Sequence, residues 1–355
     1  MGRCCAGWVC KLLCSALHSR CFLPVPSAIR VQPGPLPGSF LETCLRLFVA
    51  KVFAACALML SVSAAHSACA LSSATHPQGV VGLQLFYPDD PRSWLWADDL
   101  GVTWLRIELR HDWIEPFPGQ FDASYADRVF ALAAFHPQRI MLLFNHAAAW
   151  MLQEPELFPA RAAAAMAWIV ARYGARIDAY EIYNEINLSG YGWTNVWGTP
   201  QDSAAAYAKT LAAVSGAIRE RDKTAFVISS GLSPSGDPET YARHIVRLTP
   251  PNCYDALGLH FYGQQGRFAA VLNNAATLFK EEKRPNKPIW NTEFGTTENA
   301  QRASLLASLA VEKSLLPISF FFTERDFGIF TDSYGLRNKD GSAKPDYELF
   351  KRLMR

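Results

Sequence analysis

From Gly79 onward, short apolar runs alternate with longer amphipathic stretches, and no other feature of this 355-residue chain constrains its fold as tightly. Runs at 80–87, 103–109, 139–145, 178–183, 225–231, 255–261, 287–292 and 317–323 have the length and apolar content of buried strands. Between them lie helical patterns at 123–135, 160–173, 202–221, 238–248, 267–283 and 298–314, with shorter ones at 92–100 and 346–354. The Ala-rich stretch 160–173, with Trp168, Ile169 and Val170, is a strong helix former. Strands that alternate with helices predict a parallel sheet covered on its outer face. Eight such units within residues 71–355 match a (β/α)8 TIM barrel in count and size. A doubly wound open sheet is the runner-up, but no Gly-x-Gly-x-x-Gly turn follows the first strand. No repeat or interior linker interrupts this stretch, so it reads as one domain of the α/β class.

Charge and cysteine usage divide the chain near residue 70. Of its 34 Lys and Arg and 32 Asp and Glu, 28 and 31 fall within 71–355, so that part carries −3 and the first 70 residues +5. A slightly acidic globular part has no electrostatic footprint for nucleic acid, and none is expected as a partner. Eight of nine cysteines, Cys4 to Cys69, precede residue 71, and only Cys253 follows. On that division Cys253 has no partner for a disulfide and reads as a small buried hydrophobe, and no thiolate zinc cluster can form. Arg46 and Lys51, the apolar or small run Val52–Ala65, and Ala68-Cys69-Ala70 have the order of a secretory signal peptide. The run is short for a bilayer span, which disfavours an uncleaved anchor. His66 stands where a lipobox needs an aliphatic residue. The expectation is that translation starts near residues 41–49 and that residues 1–70 are an N-terminal extension and signal peptide outside the fold. Residues 71–355 are then the folded domain, secreted or periplasmic, monomeric and without stable membrane insertion.

Barrels of this type place their chemistry at the C-terminal ends of the strands. The fourth strand runs into Tyr180-Glu181-Ile182-Tyr183-Asn184-Glu185-Ile186-Asn187, and the seventh into Ile289-Trp290-Asn291-Thr292-Glu293-Phe294-Gly295. Either glutamate alone is as readily a solvated loop residue. Two on facing parts of one barrel mouth suit acid/base and nucleophile chemistry on a glycosidic bond, with one carboxyl protonated and one ionised. Glu181 shares, by alternation, the side of Tyr183 and Glu185 but sits deeper. It is therefore a buried structural partner, or the strand is irregular there. Tyr191, Trp193 and Trp197 crowd a loop with Gly190, Gly192 and Gly198 just past Glu185. Sugar rings stack on exposed aromatics, and the alternative is that these rings pack over the barrel rim. Trp150, after Asn145-His146-Ala-Ala-Ala, is another candidate platform; Trp290 and Trp113 are candidates with a structural alternative. No two of the eight histidines have metal-ligand spacing, so neither a metal nor another cofactor is expected.

These residues resemble the retaining glycoside hydrolases of clan A. Besides Asn184-Glu185 and Glu293, Trp104-Leu-Arg106-Ile-Glu108 resembles the clan's strand-two arginine segment. Trp113-Ile-Glu-Pro-Phe-Pro-Gly-Gln-Phe-Asp122, with Asp127 beyond it, resembles the following loop and helix. Leu259-His260-Phe261-Tyr262-Gly263 resembles the strand-six His-x-Tyr, and Tyr334-Gly335-Leu336 through Lys344-Pro345 the closing segment. The resemblance covers essentially 80–355 and is most like family 39 and its neighbours among bacterial polysaccharide hydrolases, with family 5 next.

The resemblance implies Glu185 as general acid/base and Glu293 as nucleophile, held ionised by a charge-assisted hydrogen bond from Arg106. It implies Asn184 on the sugar 2-hydroxyl, Tyr262 on the nucleophile and His260 on substrate or its neighbours. Trp150, Trp193, Trp197 and Trp290 then bind sugar. One departure stands out: strand eight reads Phe320-Phe321-Phe322-Thr323-Glu324-Arg325-Asp326 where many clan members carry a Trp flooring the sugar site. Phe322 is the substitute there, and sugar identity does not carry over. The expected function is a retaining β-glycosidase acting on a polysaccharide or oligosaccharide. Its rivals are an inactive carbohydrate-binding barrel and a transglycosylase sharing the covalent intermediate. A phosphosugar isomerase or aldolase is disfavoured, because the ends of strands seven and eight are not Gly-rich.

Overall fold

The computed structural model describes residues 69–191, 193–263, 267–297, 299–328 and 333–354. The signal-like run Val52–Ala65, the expected start near 41–49 and Cys4 through Cys56 lie outside these residues. Eight strands follow the predicted order: β1 Val80–Leu85, β2 Trp104–Arg110, β3 Arg139–Asn145, β4 Ala179–Ile182, β5 Phe226–Ile228, β6 Leu257–His260, β7 Ile289–Phe294 and β8 Ile318–Phe321. All pairs are parallel, in the order β5-β4-β3-β2-β1-β8-β7-β6. Bridges between Ile228 and Ala256 and between Leu232 and Leu259 join the two edges, giving a nearly closed barrel.

The helices are α1 Pro91–Leu100, α2 His111–Ile114, α3 Ser124–Ala133, α4 Phe158–Tyr173, α5 Trp193–Trp197, α6 Pro200–Arg219, α7 Pro238–Leu248, α8 Phe268–Glu281, α9 Asn299–Leu315 and α10 Asp346–Met354. Three begin on one local device: Asp90, Thr199 and Asp237 each accept a backbone N–H of the first turn, followed by Pro91, Pro200 and Pro238. The cap satisfies an orphan donor, and proline's fixed φ suits the first helical position. Among the described residues, no helix is long and apolar enough to cross a membrane.

The lower lumen of the barrel is apolar. Trp104, Met141, Ala179, Phe226, Ile228, Ala256, Trp290, Ile318 and Phe320, mostly from strand beginnings, form one buried cluster. Trp290 is fully buried there, edge-on to Trp104 at 5.9 Å. It therefore packs the floor and does not bind sugar, which corrects the expectation for it. The segment leading into β1 covers this floor: Ala74 packs on the cluster, and the His76 ring stacks on Phe226 at 4.6 Å. Ser72 donates its N–H to Asp255 and its hydroxyl to the Thr224 carbonyl, at 2.8 and 2.7 Å.

A disulfide joins Cys69 to Cys253, 184 residues apart, and overturns the reading of Cys253 as unpaired. The division at residue 71 separated two cysteines that the chain brings together beneath the barrel, so the folded part begins no later than Cys69.

Candidate active site

Two backbone irregularities aim the glutamates. At the end of β4, Tyr183 and Glu185 have φ of 60° and 44°, the left-handed region that non-glycine residues seldom enter. The strand's alternation breaks there. Tyr183 turns to the outer core against Phe144, Phe158 and Trp193, while Asn184 and Glu185 face the mouth. In β7 the register shifts, with Leu259 opposite Asn291 but His260 opposite Glu293. The extra residue lets Glu293 face the lumen that Trp290 also faces, despite their odd spacing. Asn291 points outward to Glu312 on α9 at 3.1 Å. Strained backbone of this kind clusters at functional sites.

Glu185, His260 and Glu293 meet in the mouth, with one carboxylate oxygen of each glutamate and a ring nitrogen of His260 all within 4.8 Å of one another. His260 Nδ1 lies 2.9 Å from Glu185 and 3.6 Å from Glu293. The Tyr262 hydroxyl donates to Glu293 at 2.9 Å, and Arg106 donates to the other oxygen of the same carboxylate. Arg106 is fully buried and also reaches Glu181 at 2.6 Å, Asn184 Oδ1 at 2.9 Å, and Gln84. The expected contacts of Arg106 and Tyr262 with Glu293 are thus present. Glu181 is a buried partner at a strand end that is also irregular.

The electrostatics separate the groups. Burial pushes Glu293 toward its neutral form, but His260, Arg106 and the hydrogen bonds of Tyr262 and Arg106 overcome it and hold the carboxyl below the usual range. For His260 burial favours the neutral ring, yet Glu293 and Glu185 prevail and raise its pKa. Burial, with the charge of Glu293, puts the Tyr262 hydroxyl well above its ordinary value, so it stays a donor. A carboxylate held ionised, with an imidazole of raised pKa between it and a second carboxyl, suits nucleophile and acid/base chemistry. The Glu185–His260–Glu293 trio also has the donor types for a cation, a set that sequence spacing does not reveal, but the Arg106 guanidinium already supplies a positive charge at Glu293.

Gly231, which sequence reasoning missed, is the hinge of the arrangement. Its N–H donates to Glu181 and its carbonyl accepts the Glu185 N–H, each at 3.0 Å. A Cβ at this position would lie 2.2 Å from His260 Nε2 and 2.3 Å from Thr292 Oγ1. The small-residue run Ser229-Ser230-Gly231 at a strand end was the available signal. Glu108, Asn145 and His146 were also passed over as a group. Both Asn145 Nδ2 and His146 Nε2 reach Glu108, at 2.8 and 3.2 Å.

The aromatic residues divide. Trp193 is 4% exposed and packed among Phe158, Tyr183, Trp197 and Tyr207, so most of its ring belongs to the rim core, and it also lines the cavity beside Trp197. Trp197 is half-buried, stacked on Trp193 at 4.7 Å, and the side chain of Tyr191 lies outside the described residues. Trp197, Asn145, His146 and Tyr183 help line a cavity of about 340 Å³ next to the Glu185 loop. Trp150 donates its indole N–H to the Glu115 carbonyl at 3.1 Å, and the Arg161 guanidinium lies over its ring, 5.1 Å from the centroid. Beyond Glu293, Phe322 packs 5.4 Å from Tyr334, itself 5.8 Å from Tyr262.

Known proteins share this architecture. The family model described as Glycosyl hydrolase catalytic core matches residues 174–314, which include Glu185, His260 and Glu293. A family 39 glycoside hydrolase from the gut symbiont Bacteroides cellulosilyticus WH2 superposes with a TM-score of 0.63 at 17% identity, over 78% of this chain and 64% of that one. An exo-β-1,4-mannosidase from Opitutaceae bacterium strain TAV5 gives 0.60 at 18% identity, over 81% and 61%. A family 5 broad-specificity endoglucanase from Clostridium longisporum gives 0.62 at 15%, over 79% and 98%. The chain spans less than two thirds of the first two of these proteins. No curated protein sequence matches. Over residues 174–314 the chain is similar to the glycosyl hydrolase catalytic core, and its fold is that of the family 39 and family 5 barrels.

Proposed function

We propose that this protein is a retaining β-glycosidase that hydrolyses O-glycosidic bonds of a polysaccharide or oligosaccharide through a covalent glycosyl-enzyme. The observation that carries the reading is the approach of Glu185 and Glu293 to within 4.8 Å, oxygen to oxygen, about one bridging imidazole. Retaining enzymes hold their two carboxyl groups about 5–5.5 Å apart, whereas inverting enzymes leave room for a water. Glu293 attacks the anomeric carbon while Glu185 protonates the leaving oxygen; Glu185 then takes a proton from water in the second step. Asn184, oriented by Arg106, meets the sugar 2-hydroxyl. The cavity beside Trp197 takes a sugar of the leaving-group side, stacked on the exposed part of the indole. Secretion or periplasmic location fits the Cys69–Cys253 disulfide, since such bonds persist in oxidising compartments. The same bond moves the proposed signal cleavage to the N-terminal side of Cys69.

The test uses the full chain, wild type beside Glu293→Gln, on β-mannan, β-glucan and xylan. New reducing ends are scored, and the anomer first released is read by proton NMR. Wild type should release the β-anomer, and the variant should lose at least about a thousandfold in rate. Release of the α-anomer would defeat the retaining assignment. Binding without release by wild type would favour the inactive carbohydrate-binding barrel.

A further inference from the structure

Arg106 is the permanently charged partner of Glu293, and the mouth does not hold it alone. Its Nε is taken by Glu181, one terminal nitrogen by Gln84 and Glu293, and the other by Asn184. Glu181 is fully buried, lies beneath the substrate-facing groups and takes no part in the reaction above. Its second oxygen accepts the Gly231 N–H at 3.0 Å, and the Gly231 carbonyl accepts the Glu185 N–H at 3.0 Å. One carboxylate therefore connects to both halves of the catalytic pair, to Glu293 through a guanidinium and to Glu185 through a peptide unit.

We propose that Glu181 is a positioning residue for the glycosidase reaction: it fixes the plane of Arg106 and shares its charge, so that Glu293 is ionised yet remains a competent nucleophile. The reasoning is electrostatic. With Glu181 ionised, Arg106 divides its charge between two carboxylates, and the three groups together carry one negative charge. Without Glu181, the whole guanidinium charge falls on Glu293 in a site sheltered from water, where such interactions are strong. The carboxylate becomes less basic and less nucleophilic, and the guanidinium loses the partner that sets its plane and hence the seat of Asn184. A purely structural ion pair predicts a loss of folded protein with the chemistry of the remainder unchanged.

This inference rests on the glycosidase reading, and the experiment separates the two. Wild type, Glu293→Gln, Glu181→Gln and Glu181→Asp are expressed as full chains, checked by circular dichroism and thermal unfolding, and assayed on whichever of β-mannan, β-glucan and xylan wild type cleaves. Glu181→Gln should lower kcat about 10- to 100-fold with KM within threefold, and move the acidic limb of kcat/KM down by about one pH unit. Glu181→Asp, which keeps the charge but shortens the reach, should leave that limb in place and still lose at least about tenfold in kcat. A folded Glu181→Gln with wild-type kcat or an unmoved limb overturns the inference and leaves the glycosidase reading intact. Should Glu181→Gln not fold, a wild-type kcat in Glu181→Asp overturns it. No cleavage by wild type overturns both.

Discussion

The two ends of the barrel are built from the same strands and could hardly be less alike. At the floor, the inward residues of the first strand turns are Trp104, Met141, Ala179, Phe226, Trp290 and Ile318, a dry apolar layer. At the mouth, two to six residues further along, the inward positions hold Arg106, Glu181, Glu185, His260 and Glu293, nearly all buried and all polar. A charge is expensive to bury unless it is paired, and here each charge has a partner of opposite sign or a donor aimed at it. The difference shows where a barrel concentrates stability and where it spends it. The floor needs only shape, and alternation supplies that. The mouth needs particular atoms in particular places, and reaches them by departing from alternation: at Tyr183 and Glu185 through positive φ, and at Thr292 through a shift of register.

The comparison breaks most visibly at Trp290. Trp290→Ala should cost about 3–5 kcal/mol of unfolding free energy, because a fully buried indole leaves a cavity in a closed layer. The folded fraction should keep kcat/KM within about threefold, since the residue touches only Trp104, Phe226 and His76 among the aromatic rings near it. Urea unfolding and activity per folded molecule measure the two parts; a large activity loss at intact stability would move Trp290 to the mouth. At the other end, Gly231→Ala should do the reverse. The new methyl collides with the His260 ring and the Thr292 hydroxyl, so one or both must move by about an ångström to restore ordinary contact. We expect about a hundredfold loss of kcat/KM, with about 1–3 kcal/mol of stability from overpacking. Wild-type activity would show that the position of His260 is not critical.

Much of this was legible before any coordinates, and what was not has a common cause. Strand and helix positions follow from periodicity, because burial of one face is a local pattern that sequence records. Glu185 and Glu293 stand out because a carboxylate directly after an apolar run has few reasons to be there. Whether a given aromatic is exposed is a different kind of fact. Trp193 and Trp290 look like Trp197 in sequence, but packing by Phe158, Tyr183 and Tyr207 buries one, and the floor cluster buries another. Cys69 was lost because the boundary was placed by composition, while its partner lies 184 residues away. Alternation put Tyr183 and Glu185 on one side of β4, and the left-handed backbone that separates them leaves no mark on residue type. Gly231 was missed for the converse reason: its role lies in what its missing side chain leaves room for.

Glu312 sharpens the comparison from outside the barrel. It lies on α9 against the back of β7, almost fully buried, and takes hydrogen bonds from Asn291 at 3.1 Å and Ser308 at 3.4 Å. Unlike Glu181 and Glu293, it has no cation beside it among the described residues. Burial therefore prevails, and its pKa rises from the usual value of about 4.5 to about 7 despite the donors of Ser319, Asn291 and Ser308. The folded state then binds a proton more tightly than the unfolded one. Stability from this group is complete below about pH 4.5 and declines as the pH climbs to about 7, with no further change above. Glu312→Gln, which keeps the shape and cannot ionise, should remove that decline. It should match wild type near pH 4.5 and exceed it by up to about 3 kcal/mol above pH 7. Urea titrations at a series of pH values read the difference directly. Parallel curves for the two proteins would mean that the carboxylate is solvated or paired in the folded state, and that a buried acid here needs no cation to remain charged.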